Sequence, residues 1–278
     1  MKKTFTPLTS LLCLALAATA HPNNPQKIKR AAKQAMLRMP KHQRGMFAPV
    51  LASARPAEVI WGALEELTVK PRCQVAFDLE TLGTSPDSKI LSVGAVAVCA
   101  ETGRTVRFYS PCSIDSQPGR ATSPSTLKWW EGRTPEARTV LDAAKADNCA
   151  TLQETLETLT AWLGKLGETH DVYAWGNGSD FDVAMLNHAY QQFSGFVPWN
   201  FRHARDMRTL YDITLRLGMD IKSSTLRTGT HHNALDDAQF QSNVIMESLR
   251  QIDLVAKFIT GPAADAWIAF QAQQGGAE

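Results

Sequence analysis

The sequence predicts an α/β protein, a mixed sheet flanked by helices, carried behind a basic helical N-terminal arm. Three observations predict it. Residues 73 to 110 hold three short runs rich in Val, Phe and Ile, separated by Gly, Pro and Asp, the pattern of consecutive strands. Apolar residues recur at helical spacing before and after that block. The charge breaks sharply, because residues 1 to 57 contain ten Lys or Arg and no acid, leaving 19 basic against 27 acidic residues from Glu58 onward. Such a basic arm on an acidic body suits a polyanion partner, although a solvated basic helix has the same composition.

Taken in order, "QKIKRAAKQAMLRM" and "PAEVIWGALEEL" read as helices of the arm, the second with Pro56 in its first turn. "QVAFDLE", "KILSVGAVAVCA" and "RTVRFYS" read as antiparallel strands. After the Pro/Ser-rich "DSQPGRATSPS", the stretches "TLKWWEGRTPEARTVLDAAKA" and "TLQETLETLTAWLGKL" read as helical cover for the sheet. Leu152, Leu156, Leu159 and Leu163 share one face of the latter. "DVYAWGNG" reads as a further strand ending in glycines, and "FDVAMLNHAYQQF" and "DAQFQSNVIMESLRQI" as helices. The tail "QAQQGGAE" is weak in pattern, as fraying chain ends are.

With 278 residues, 44% of them hydrophobic, the chain can bury a substantial core. Cysteines at 13, 73, 99, 112 and 149 show neither a C-x-x-C pair nor zinc-site spacing, so they read as buried or incidental thiols in a reducing compartment. The first twenty residues resemble a secretory leader: two lysines, an apolar stretch from Leu11 to Ala18, and an Ala-Thr-Ala ending. Pro7, the short apolar core and the basic segment behind it argue instead for an apolar N-terminal helix. A cytoplasmic location is therefore expected, with export as the alternative. Nothing approaches the ~20 apolar residues of a membrane span.

Chemistry enters with "DLETLG", where Asp78 and Glu80 leave a strand on the same face. Two carboxylates so placed repel each other unless a cation lies between them, and a hard dication such as Mg²⁺ or Mn²⁺ takes oxygen ligands. A polar turn after a strand is the plainer reading of that stretch alone. In "WGNGSDFDVAML", Ser179 is placed to cap a helix beginning near Asp180, and Asp182 is the better ligand candidate of the two aspartates. In "HHNALDDAQF", His232 precedes a helix whose first turns hold Asp236 and Asp237, and helical geometry does not choose between these two.

The three motifs together, D-x-E, N-x-x-x-F-D and H-x-x-x-x-D, resemble the DEDDh exonuclease family in order and separation. The matching residues are Asp78 and Glu80, then Asn177, Phe181 and Asp182, then His232 and Asp237. The local text "DLETLGTSPDSKILSVGAVAV", "TLKWW" and "RDMRTL" is similar to the ribonuclease-T-like branch found in phage and prophage, the exodeoxyribonuclease VIII-like enzymes. The resemblance implies a ribonuclease-H-like five-stranded sheet. It also implies two Mg²⁺ or Mn²⁺ ions on Asp78, Glu80, Asp182 and Asp237, and His232 as general base. Thr81 and Leu82 would then lie against the terminal nucleotide, the apolar side chain wedged under its base.

On this resemblance the boundaries are an arm over 1–70 with its leader-like start at 1–20, an exonuclease domain over 71–255, and a C-terminal helix and tail over 256–278. Arg208, with Arg205 nearby, is a candidate phosphate contact, against pairing with Asp206 or Asp212. Trp129 and Trp130 point about 100° apart on a helix, so one can pack while the other faces a groove. Trp130 is taken as the substrate-side ring. The partners implied are 3′ ends of single-stranded DNA or RNA, DNA preferred, and a second copy in a homodimer; no membrane contact is expected. The competing readings are an exoribonuclease, an inactive nucleic-acid-binding protein worked by the basic arm, and a secreted glycosidase using Asp78 and Glu80. The last leaves Asp182, His232 and Asp237 unexplained.

Overall fold

The computed structural model describes residues 7–21, 23–37, 47–61, 70–99 and 102–260. The chain divides into two compact units, Met1–Lys70 and Pro71–Glu278. In the first, α1 (Pro7–Ala20), α2 (Pro25–Leu37) and α3 (Ala48–Ala52) are followed by helical residues 56–61. Asn24 Oδ1 accepts the Lys27 N–H at 3.1 Å, which satisfies one of the orphan donors at the start of α2. Ile28 and Ala32, four residues apart, face inward against Leu14, Ala15 and Ala18 of α1 and against Phe47, Val50 and Ile60. Lys27, Arg30 and Lys33 stay exposed, so the helix is basic on its outer face. Among the described residues no helix is long and apolar enough to cross a membrane. The later part of "PAEVIWGALEEL", beyond Trp61, lies outside the described residues, as does the tail from 261 onward.

The second unit is built on five strands: β1 (Arg72–Thr81), β2 (Ile90–Cys99), β3 (Thr105–Pro111), β4 (Asp171–Gly176) and β5 (Ala204–Asp206). Their order is β3-β2-β1-β4-β5. β1 pairs antiparallel with β2 and β2 with β3, whereas β4 is parallel to both β1 and β5. This is the mixed five-stranded α/β sheet expected, with β1 at its centre.

Side chains of β1 alternate between faces, and the alternation decides where chemistry can occur. Val75, Phe77 and Leu79 enter a core with the four leucines of α6 (Leu152–Gly167) and with Met185, Leu186 and Ala189 of α7 (Asp182–Phe193). Each such buried leucine contributes about 1.5–3 kcal/mol. Ala76 lies on the opposite face with Trp175, with Met207 and Leu210 of α8 (Met207–Arg216), and with Phe240, Val244 and Ile245 of α10 (Ala234–Thr260). Asp78 and Glu80 continue that second face. α10 comes so close there that a Cβ on Gly94, the β2 partner of Asp78, would stand 2.1 Å from the Ala234 carbonyl oxygen.

Two local expectations are corrected. The stretch from Thr126 to Ala146 is two helices, α4 (Pro124–Glu131) and α5 (Pro135–Lys145), because Pro135 cannot donate back to Glu131 and instead starts a new helix. Thr134 caps that helix by accepting the Ala137 N–H at 3.2 Å. Ser179 caps nothing: α7 starts at Asp182, and residues 177 to 181 form the turn that brings its carboxylate inward. α10 continues past position 256 to Thr260.

Candidate active site

The end of β1, the turn after β4 and the start of α10 meet beside a cavity of about 620 Å³. Asp78, Glu80, Asp237 and His232 line it. Carboxylate oxygens of Asp78, Glu80 and Asp237 all lie within 4.8 Å of one another. Glu80 and Asp237 are buried. Loss of solvent and the neighbouring carboxylates Asp182, Glu80 and Asp237 hold the Asp78 carboxyl well above its ordinary range. Burial, then Asp237 and Asp182, push Glu80 up to about 8. Anions crowded this way favour either protons or a cation.

Asp182 is buried too, yet it is held differently. Its Oδ1 accepts the Leu79 N–H at 3.1 Å and its Oδ2 the Asn177 N–H at 2.8 Å. Burial raises it to about 6, and those backbone donors oppose the rise. Asp182 borders a second recess shared with Asp78, Asn177 and Arg208. Arg208 makes no ion pair among the described residues, since Asp212 pairs with Arg216 and Asp206 caps α8. Arg205 turns to the Arg202 and Ala204 carbonyls and lies over the Tyr173 ring.

The tie between Asp236 and Asp237 is decided by the turn ahead of α10. Asp236 accepts the Thr230 N–H at 2.7 Å and is committed to that turn, whereas Asp237 faces the cavity and accepts the His232 backbone N–H at 2.9 Å. Asn233 caps the helix through the Leu235 and Asp236 N–H groups. His232 has φ +66°, the left-handed region that histidine enters more readily than bulky residues do. Burial and the neighbouring His231 hold its pKa below the ordinary value, so the ring is uncharged at neutral pH.

Among the cavity residues that were not anticipated are Arg227, which pairs with Asp237, and Gln241, whose Nε2 donates to Asp78 Oδ1 at 2.5 Å. Gln241 follows Asp237 by four residues on α10, so helical spacing pointed to it; Arg227 sits in a loop that carried no signal.

The residues expected against a nucleotide are more deeply set than foreseen. Leu82 is buried with Leu91, Trp130, Val140 and Ala144, because β1 bulges at Glu80/Thr81 and turns the chain into that cluster. Thr81 Oγ1 donates to the Gly83 carbonyl at 2.7 Å, and Thr81 O accepts the Trp130 indole N–H at 2.9 Å. Trp130 is thus the buried ring of the pair, and it lines the cavity wall together with Trp129. Trp129, 39% exposed, is the one at the cavity mouth, its ring 4.8 Å from that of His232.

The donor set fits a hard dication: four carboxylates, three of which, Asp78, Glu80 and Asp182, are held above their ordinary pKa range by burial in a way that a cation would reverse. A five-stranded mixed sheet with this acidic cluster at the end of its central strand defines a nuclease-type domain. The chain belongs to the family described as the 3′-5′ exoribonuclease Rv2179c-like domain, which matches residues 73–249. No curated protein matches the sequence. Among solved structures, it is similar to that of cell-death related nuclease 4 (CRN-4), at 14% identity and a TM-score of 0.49, over 66% of this chain and 65% of that one. The chain thus spans about two-thirds of that structure's length, 65%. It is also similar to a full-length 3′-exonuclease, at 13% identity and a TM-score of 0.37, over 88% of this chain and 83% of that one.

Proposed function

We propose that the chain is a metal-dependent 3′-to-5′ exonuclease of the DEDDh type, which removes nucleoside 5′-monophosphates from single-stranded nucleic acid. The observation that carries this reading is the convergence of Asp78, Glu80 and Asp237 within 4.8 Å, beside Asp182 and His232. Asp78, Glu80, Asp182 and Asp237 would hold two Mg²⁺ or Mn²⁺ ions, which supply Lewis acidity toward the phosphate and neutralise charge on the departing oxygen. His232, uncharged and close to neutrality in its ordinary pKa, accepts the proton of the attacking water. The new bond is water oxygen to phosphorus; the bond broken is phosphorus to O3′, which leaves as a hydroxyl on the shortened strand. The Asp237 carboxylate, accepting the His232 backbone N–H, holds the imidazole at this edge. Trp129 offers a ring for the terminal base, and Arg208 a guanidinium for a phosphate beside Asp182.

RNA is the substrate favoured by the family's description. DNA is the second reading, favoured by the phage-type text from Asp78 to Val98. Matched 5′-labelled DNA and RNA oligonucleotides, incubated with Mg²⁺, Mn²⁺ or EDTA, test both at once. A metal-dependent ladder shortening from the 3′ end, absent in Asp78→Ala, is expected. Cleavage by the variant, or none by the wild type with any metal, would overturn the proposal.

A further inference from the structure

Beside the oxygen-lined site stands a second donor set of different chemistry. His231, His232 and Asp237 each bring one ligand atom, and these atoms lie within 4.8 Å of one another. The two imidazoles face edge to face, their centroids 4.0 Å apart. Neither ring has a hydrogen-bond partner among the described residues, so their nitrogens are available. His231 is exposed, His232 is half-buried, and Asp237 is buried. Asp237 is also oriented as metal-bound carboxylates usually are, through a hydrogen bond from the His232 backbone N–H to Oδ2. Arg227 occupies the other oxygen, leaving Oδ2 a second lone pair.

Two nitrogens and one oxygen do not suit Mg²⁺, which prefers an octahedron of oxygens. They suit zinc, which takes three protein ligands and leaves a fourth position open, at bond lengths of about 2.0–2.2 Å. Tetrahedral ligands at that length stand about 3.4 Å apart, which rotation of the exposed His231 side chain can reach. Zinc also outranks manganese for any given nitrogen-containing site.

We propose that His231, His232 and Asp237 form a site for one Zn²⁺ ion that shares only Asp237 with the acidic site, and that filling it switches the enzyme off. Inhibition follows because the ion takes the nitrogen on which His232 would receive the proton and draws Asp237 from the acidic set. The binding half stands on the donor geometry; the inhibitory half rests on the exonuclease reading.

The test uses the full chain, wild type beside His231→Ala and His231→Gln. Zn²⁺ is titrated calorimetrically without nucleic acid, and cleavage with Mg²⁺ is followed as Zn²⁺ is added. One Zn²⁺ bound by the wild type should weaken by at least about tenfold in both variants, the scale on which even outer partners of a metal act. The variants should also keep cutting at Zn²⁺ concentrations that stop the wild type. Equal binding and equal inhibition in all three proteins would overturn the proposal, placing Zn²⁺ on the acidic oxygens instead. If the wild type cuts nothing with Mg²⁺ or Mn²⁺ while Zn²⁺ binding still depends on His231, the site stands and the exonuclease reading falls.

Discussion

The two sides of the acidic site solve the same electrostatic problem in opposite ways. On the β4–α7 side, Asp182 is buried but held by two backbone N–H groups, and its pKa reaches only about 6. On the β1–α10 side, no backbone N–H reaches the Glu80 carboxylate among the described residues, and it is pushed to about 8. Burial is common to both; the difference lies in the backbone donors and Arg208 at Asp182, against the repulsion of Asp237 and Asp182 at Glu80. Asp182 is therefore part of the scaffold as well as a candidate ligand, whereas Asp78 and Glu80 are poised for a cation at the expense of stability.

The largest expected effect comes from breaking the poised side. Asp78→Asn should lower exonuclease activity by more than about 100-fold, the upper end of what outer-shell partners of a metal contribute. It should leave the metal-free protein at least as stable at pH 8, read as the midpoint of thermal unfolding. An unstable variant there would mean that the carboxylate is structural.

On the scaffold side, Asp182→Asn exchanges one acceptor for an amide donor facing a backbone N–H. A buried donor without a partner costs about 1–3 kcal/mol, so chemical denaturation should show a loss of that size without any metal present. Trp130→Ala should destabilise by about 3–5 kcal/mol as a buried aromatic truncation. Trp129→Ala should instead raise KM with little change in stability, since stacking on a base is worth about 1–3 kcal/mol.

The pH dependence of the metal-free fold tests the same crowding. Carboxyls raised on folding bind more protons in the folded than in the unfolded state, so stability is full below their unfolded values near 4 and falls as pH rises through the folded ones. Unfolding temperature should therefore drop between pH 5 and pH 8, a window bounded by the ordinary carboxylate range and by the value of about 8 for Glu80. Mg²⁺, which needs the ionised forms, should restore more at pH 8 than at pH 6. A flat profile would remove the idea that the β1–α10 carboxylates are strained against one another.

Much of the fold was legible. The period-two runs from Gln74 to Ser110 became β1 to β3, and the leucine stripe of α6 is the stripe that packs on the sheet. β5, only three residues long at the sheet edge, left no periodicity to read. The helix break before Pro135 carried a local signal in Thr134 and Pro135, but the apolar pattern continued across it. Of the candidate site, Asp78 and Glu80 shared a face by strand geometry alone, and the motif order carried Asp182, His232 and Asp237 to the same cavity region.

What the sequence determined by itself is what depends on near neighbours: strand alternation, helix stripes, the charge break near residue 57, and the pairing of Asp78 with Glu80. The tertiary structure decided between Asp236 and Asp237, between Trp129 and Trp130, and between a clamped Asp182 and a crowded Glu80. Those choices turn on partners far away in the chain, such as the Leu79 N–H for Asp182 and the Thr81 carbonyl for Trp130. Local periodicity places a side chain on a face, but only the folded chain sets which distant donor or charge stands opposite it.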